Sequence, residues 1–312
     1  QITLYDNLSN STEIVAKNIE QICGKKINFV KGDVRNTEAL KNALTLYEVD
    51  SVIHFAGSKS VAESVEKPIE YYGNNVQSTV SLLQAMRLAK VKSLVFSSSA
   101  TVYGEPVYLP FDEQHPTNPI NPYGRSKVHI EEMLADVATS DSEWRIACLR
   151  YFNPVGAHDT GLIGEHPTSI PNNLMPYIAQ VASGFRDVLK VFGNDYPTRD
   201  GTGVRDYVHV MDLADGHAAA LKFLGANAGW HAINLGAGRG YSVFEVVDAF
   251  EMSSGRTIPL RIAPRRIGDI AEYYACTAKA QRNLDWKANR GLSSICASSW
   301  NFQMQLIKNF ED

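Results

Sequence analysis

Ser93-Leu94-Val95-Phe96-Ser97-Ser98-Ser99-Ala100-Thr101-Val102-Tyr103-Gly104, taken together with Pro122-Tyr123-Gly124-Arg125-Ser126-Lys127, decides how the rest of the chain is read. In the first stretch small hydroxyl residues take over where an apolar run ends, as at the end of a strand. The second opens a helix: Pro119 and Pro122 end the preceding segment, and apolar residues recur at helical spacing from Tyr123 to Val137. Tyr123 and Lys127 are four positions apart, so they share one helical face about one turn apart. A free phenol, with a pKa near ~10, is a poor base at neutral pH. An ammonium roughly 5 Å away favours the phenolate by about 3 kcal/mol at an effective dielectric of about 20. The spacing therefore predicts a tyrosine able to take a proton from a substrate hydroxyl, with Ser99 or Thr101 holding that oxygen. A Tyr and a Lys on a solvated helix face would share the spacing, but of the chain's tyrosines only Tyr123 has a Lys four positions on.

Outward from this pair the pattern is one of alternating strands and helices. Ile2 to Tyr5 reads as a strand ending at Asp6-Asn7, Ile27 to Val30 as one ending at Gly32-Asp33, and Ser51 to Phe55 as one ending at Ala56-Gly57. Helices are expected from about Thr12, from Glu38 to Tyr47, and from Pro68 to Ala89, the last with Val76, Val80, Leu83 and Met86 or Leu88 on its apolar side. A further strand runs from Arg145 to Tyr151. Val/Ile/Phe-rich strands between helices predict an α/β fold with a doubly wound parallel sheet. Such sheets bind ligands at the carboxyl ends of their strands, which here carry Asp6, Asp33, Phe55-Ala56-Gly57 and Ser97-Ser98-Ser99. Asp6 is the expected acceptor for adenosine ribose hydroxyls, which favours NAD over NADP, although a turn cap explains it equally well. The glycine-rich phosphate turn belongs about 20 residues before such an acidic residue. Nothing precedes Gln1, so the natural chain is expected to carry that strand and turn upstream. Without it the sheet should be split, because that strand is central in this fold. Gly236-Ala237-Gly238-Arg239-Gly240 also follows a strand, Ala232 to Leu235, but lacks the last glycine of the fingerprint and is a poor pyrophosphate turn.

The 312 residues suffice for one large α/β domain or two modest ones, and the net charge of -4 shows no basic footprint for nucleic acid. Cys23, Cys148, Cys276 and Cys296 are widely separated, which gives no metal spacing and no disulfide framework and fits a reducing compartment. No apolar run approaches the length of a membrane span and no signal peptide is visible, so a cytoplasmic protein without membrane or metal is expected. From Asn153 onward the pattern changes. His158 to Asn173 is a long polar loop, Asn172-Asn173-Leu174 opens a helix to about Ser183, Leu189 to Gly193 is a short strand, and Arg205 to His209 leads into a helix from Met211 to Leu224. Residues 1–152 are expected to form the dinucleotide-binding domain. Residues 153–312 should form a smaller substrate domain, with some segments packing back on the first.

Tyr-x-x-x-Lys after a strand-end serine cluster resembles the short-chain dehydrogenase/reductase superfamily in its extended, nucleotide-sugar branch. Arg150-Tyr151-Phe152-Asn153-Pro154-Val155-Gly156-Ala157 and Gly201-Thr202-Gly203-Val204-Arg205-Asp206-Tyr207 extend the likeness over nearly the whole chain and bring it closest to the UDP-hexose 4-epimerases. The resemblance implies that Tyr123, Lys127, Ser99 and Thr101 are catalytic. It implies an NAD site built from Asp6, Asn7, Asp33, Val34, Phe55, Ala56, Gly57, Lys59, Asn74, Ser97, Tyr123, Lys127 and Tyr151. On the substrate side it implies Arg205 and Arg266 on the diphosphate, Phe192 against uracil, Asn153 and Asn173 on diphosphate or sugar, and Asp269 on the ribose, joined by Ser99, Leu174, Tyr207 and Tyr273. A large ring at Tyr273 implies UDP-glucose and UDP-galactose as substrates and disfavours N-acetylated sugars. The implied reaction is transient oxidation at the sugar 4-position to a 4-keto sugar, which turns and is reduced again, with NAD staying bound. A homodimer is implied, its two long helices pairing across a two-fold axis as four. Cys276 and Thr277 depart from the expected Asp-containing wording. Two rivals are a nucleotide-sugar dehydratase or decarboxylase of the same branch and a non-catalytic nucleotide-sugar-binding protein. The dehydratase needs an acid pair where Ala100 and Thr101 stand.

Overall fold

The computed structural model describes residues 1–167, 171, 173–266 and 268–311, the last three through their backbone only. Asn172, expected at the opening of a helix, lies outside the described residues. The elements of the first half are β1 (Thr3–Asp6), α1 (Ile14–Cys23), β2 (Asn28–Lys31), α2 (Thr37–Leu46), β3 (Ser51–His54), α3 (Val61–Glu66), α4 (Pro68–Tyr71), α5 (Gln77–Leu88), β4 (Ser93–Ser99), α6 (Pro122–Ser140) and β5 (Arg145–Tyr151). The second half holds β6 (Asn153–Val155), α7 (Leu174–Ala182), β7 (Leu189–Phe192), β8 (Val204–His209), α8 (Val210–Ala226), β9 (Gly229–Leu235), β10 (Gly240–Ser242), α9 (Val243–Ser254), β11 (Leu260–Ala263), β12 (Glu272–Tyr273), α10 (Ala278–Leu284) and α11 (Leu292–Glu311).

Four parallel strands in the order β3-β4-β5-β9 make the main sheet, and β1-β2 form a separate parallel pair. Successive side chains of a strand face opposite ways, and β4 and β5 bury both sets. Leu94, Phe96, Ile146 and Cys148 pack with Leu82, Leu83, Met86, Ile130 and Leu134 of α5 and α6. Val95, Ala147 and Leu149 pack on the other face with Leu213, Ala220 and Leu224 of α8. Cover on both faces is what makes these strands read as near-continuous apolar runs. By contrast β1 and β3 are only half-buried for most of their length, and among the described residues each pairs with a single neighbour. The main sheet also takes in β9, from far beyond residue 152. A second core lies among α7, α9 and α11 around Ile178, Val246, Val247, Phe250 and Ile295.

Local chemistry sets the helix ends. Asn121 Oδ1 accepts the Gly124 amide while Pro122 occupies the first turn of α6. The helix expected from Pro68 to Ala89 is α4, a π turn at Tyr72–Val76, and α5. Leu83 and Met86, expected on the apolar side of α5, are buried and Val76 packs on the same core, whereas Val80 is exposed, as is Leu88, the alternative to Met86.

Candidate active site

The helix register places Tyr123 and Lys127 one turn apart on α6, as the spacing predicted. The Lys127 amine lies 5.7 Å from the Tyr123 ring centroid and 4.7 Å from that of Phe96, and it donates to the Ser97 carbonyl at 2.6 Å. It lies close behind the wall of a cleft, since a Cβ placed on Gly57 would lie 3.1 Å from Asn75 Oδ1 and 4.0 Å from Lys127 Nζ, while Ser97, Tyr123, Lys127 and Tyr151 are not among the residues lining that cleft. Ser99 Oγ accepts from the Thr101 amide at 3.2 Å and from the Thr101 hydroxyl at 3.0 Å, so both candidate hydroxyls form one short chain at the strand end.

The electrostatic expectation needs correction. Burial pushes the Tyr123 phenol above its ordinary value, against a downward pull from the Ser99 hydroxyl. Burial also drops Lys127 to about 8, and Glu131 and Cys148 only partly oppose that fall. The ammonium is spent on the Ser97 carbonyl, and the desolvation of both groups outweighs their attraction. Lowering the phenol toward neutrality requires further positive charge beside Tyr123. His54, also buried and near Lys127, is held at about 3 and stays neutral.

The cleft has a volume of about 610 Å³, within the range of small-molecule sites. The expected Asp6, Asn7, Asp33, Val34, Phe55, Ala56, Gly57, Lys59 and Asn74 all line it, as does Asn173. They come together because β1, β2 and β3 end on the same side. Asp6 Oδ1 caps a turn by accepting the Leu8 amide at 2.7 Å, and Asp6 remains in the wall. Asp33 is clasped by Arg35 at 2.7 and 2.9 Å and by Asn7 at 3.2 Å, so Arg35 holds its carboxyl well below the usual range. The π turn contributes Asn75, which accepts the Ser58 amide at 2.7 Å, donates to the Ser58 carbonyl at 3.0 Å and reaches Ser126 at 3.2 Å. Ser126 in turn donates to the Tyr123 carbonyl at 2.7 Å. Sequence reading missed Asn75, and it missed Glu165, which bonds both Lys59 at 3.1 Å and Asn173 at 2.8 Å. Neither residue has a local signal, since the Asn75–Ser126 and Glu165–Lys59 contacts span long sequence separations.

Four of the substrate-side candidates, Asn153, Arg205, Tyr207 and Tyr273, gather on β8 and its neighbours, whereas Phe192 lies on β7 and Asn173 in the cleft. The parallel neighbours of β8 put Asn153 opposite Tyr207 and Tyr273 opposite Arg205. The Tyr273 hydroxyl donates to Asn153 Oδ1 at 3.1 Å, and Asn153 donates to the Asp206 carbonyl at 2.9 Å. Arg205 lies over the Tyr273 ring at 4.7 Å and Arg266 over the Phe192 ring at 4.8 Å, while Arg266 pairs with Asp269 at 2.9 Å. Tyr207 is buried, and burial raises its phenol. Leu174 opens α7 and packs on the second core. Tyr151 reaches this side through the chain itself: it pairs in register with Ser99, and Asn153 follows two residues on. Its hydroxyl hydrogen-bonds His217. The glycine turn at residues 236–240 is closed to phosphate, because Asp206 accepts the Ala237 amide at 2.7 Å and the Gly238 amide at 2.9 Å. Cys276 bonds through its backbone, its amide donating to the Phe111 carbonyl at 2.7 Å.

The family described as GDP-mannose 4,6 dehydratase matches residues 2–299 of this chain. The UDP-glucose 4-epimerase of Bacillus subtilis (strain 168) is 51% identical over 311 residues, covering 100% of this chain and 92% of the relative. That of Neisseria gonorrhoeae is 51% identical over 300 residues, covering 96% and 89%. The crystal structure of a UDP-glucose 4-epimerase from Stenotrophomonas maltophila, with bound NAD and formylated UDP-arabinopyranose, superposes with a TM-score of 0.97 at 46% identity, covering 98% of this chain and 91% of that one. The Bifidobacterium longum enzyme in complex with NAD+ and UDP gives 0.94 at 49% identity, with the same shares of 98% and 91%.

Proposed function

Since the chain belongs to the GDP-mannose 4,6 dehydratase family and, within it, to the UDP-glucose 4-epimerases of the extended short-chain dehydrogenase/reductase superfamily, we infer that the Tyr123 site carries out their reaction. The protein is an isomerase that interconverts UDP-galactose and UDP-glucose with NAD as cofactor. The residues present fit that cofactor. The cleft carries carboxylates at Asp6 and Asp33 for adenosine hydroxyls and amino groups, apolar walls at Val34 and Phe55, and the Lys59 ammonium. Arg35 is committed to Asp33, and the Asp6 carboxylate at the end of β1 suits ribose hydroxyls rather than a 2′-phosphate, in keeping with NAD. When bound, NAD supplies reversible hydride acceptance and a positive charge beside Tyr123.

Tyr123 takes the proton of the sugar 4-hydroxyl and returns it after the ring has turned. Ser99, tied to Thr101, holds the same oxygen in line. Lys127, fixed to the Ser97 carbonyl, keeps a donor close to the cleft wall. Arg205, Arg266, Phe192, Asn173 and Asp269 grip the nucleotide diphosphate, so that the sugar can rotate about a fixed handle. Tyr273, Asn153 and Tyr207 shape the sugar pocket. The observation that carries this reading is the Tyr123–Lys127–Ser97 arrangement, with the Lys127 amine close to Gly57 in the cleft wall. A dehydratase is less well supported, because Ala100 is buried and Thr101 is engaged with Ser99 where an acid pair would be required. Residues 1–152 with β9 would serve the cofactor, and the remainder the nucleotide sugar. A cytoplasmic homodimer paired through α5 and α6 fits the exposure of Val80 and Leu88. The deciding assay incubates the purified protein with UDP-galactose and measures UDP-glucose. Approach to an equilibrium mixture is expected from either side, and no interconversion in the presence of added NAD would overturn the assignment.

A further inference from the structure

One turn beyond Lys127 on α6 sits a carboxylate with no part in the reaction itself, Glu131. It is almost wholly buried, as are the two groups that hold it, Ser98 and Arg150. The Ser98 hydroxyl donates to Glu131 Oε1 at 2.5 Å. Arg150 grips both oxygens: Nε at 3.1 and 3.3 Å, and Nη2 to Oε2 at 2.6 Å. Its remaining arm donates to the Tyr103 hydroxyl at 3.1 Å, which donates to Asn234 Oδ1 at 2.6 Å. Ser98, Arg150 and Asn234 are register partners on β4, β5 and β9, so one row across the sheet reaches up to a single point on the helix.

A buried ion pair is a poor way to gain stability, because apolar residues of similar volume do as well or better. What it does supply is position, since a fully bonded charge tolerates one register only. Here the two elements being registered are those of the site. Ser97 and Ser99 flank Ser98 on β4, and Lys127 and Tyr123 lie one and two turns before Glu131 on α6. We propose that Glu131, held by Ser98 and Arg150, is a positioning residue for epimerisation: it locks the helix carrying Tyr123 and Lys127 to the strand end carrying Ser97 and Ser99. Its charge also bears on Lys127, whose facing groups are Tyr123 and Glu131 on α6, His54 on β3 and Cys148 on β5. Glu131 is the stronger of the two groups that hold the ammonium protonated against burial.

The inference rests on the reading of Tyr123 as the reacting base, and the experiment separates the two. In the paired variant Glu131→Leu with Arg150→Met both charges go together, so no uncompensated charge is left inside. Ser98→Ala keeps the pair and removes only its link to β4. Each is compared with wild type and with Tyr123→Phe for thermal midpoint, UDP-sugar KM, kcat against pH, and phenolate absorbance on alkaline titration. A positioning role predicts a paired variant that melts within a few degrees of wild type. Its KM stays within about twofold, its kcat is about 10–100-fold lower, and its phenolate titration and pH limb are displaced, as for outer-layer groups elsewhere. Ser98→Ala should show the same displacement to a smaller degree. A paired variant with normal kcat and an unmoved pH limb overturns the proposal, and if that variant does not fold, normal kcat in Ser98→Ala does so. An active Tyr123→Phe instead overturns the reading beneath it. An inactive Tyr123→Phe beside a fully active paired variant rejects the positioning role alone.

Discussion

Tyr123 and Lys127 announce themselves through four-residue spacing, and that spacing is a property of the helix, so it survives into three dimensions. Their pKa values do not, because desolvation depends on everything packed around them. Burial lowers Lys127 to about 8 in the fold, below the 10.5 of the free side chain. The folded state thus releases this proton before the unfolded state does, and Lys127 adds to stability as pH climbs from about 8 to about 10.5, where the unfolded chain binds more protons. For activity the same titration removes the ammonium, so kcat/KM should fall above about pH 8. Lys127→Met should abolish that limb along with most of the rate, as a pH-rate profile would show. Tyr273 makes a different prediction. Its ring fills space beside Asn153 and Arg205, so Tyr273→Ala should raise turnover of UDP-N-acetylglucosamine relative to UDP-glucose. An unchanged ratio would remove Tyr273 from the sugar pocket.

Among the elements, strands and helices were legible where periodicity is local, as in β4, β5 and α6. The π turn at residues 72–76 was not, since a one-residue change in helical hydrogen bonding has no compositional mark. Nor was the role of Asp206, because the amides it binds lie more than 30 residues away. That carboxylate ties β8 to the turn after β9 and to the Ala275 amide at 3.1 Å. Burial raises it to about 6 from 3.8, against the three amides that pull it down. The folded state therefore holds this proton longer than the unfolded state. Its contribution to stability is complete below about pH 4 and is lost as pH rises through about 6, a change of roughly 3 kcal/mol. Asp206→Asn should flatten stability over that window in denaturant titrations. Asp206→Ala, which strands three amides, should cost about 1–3 kcal/mol for each amide left unpartnered.

At the scale of the whole molecule, the parallel sheet and the ligand side of it were read from strand order alone. The strands divide between β1-β2 and β3-β4-β5-β9, and carboxyl ends from both groups meet at one cleft. The weaving of β9 back into the first sheet was visible only as a general tendency, because the register between distant strands is set by packing. NAD, which bridges the ends of both sheets in this reading, should slow hydrogen exchange in β1-β2 and raise the melting temperature.

The central claim is that the Tyr123 hydroxyl moves the proton of the sugar 4-hydroxyl. Its most direct test is kcat for UDP-galactose epimerisation by Tyr123→Phe, measured alongside UDP-sugar binding and thermal stability. A loss of about 10²–10⁴-fold in kcat, with binding and melting temperature nearly unchanged, is the predicted result. Turnover within a few-fold of wild type would contradict it.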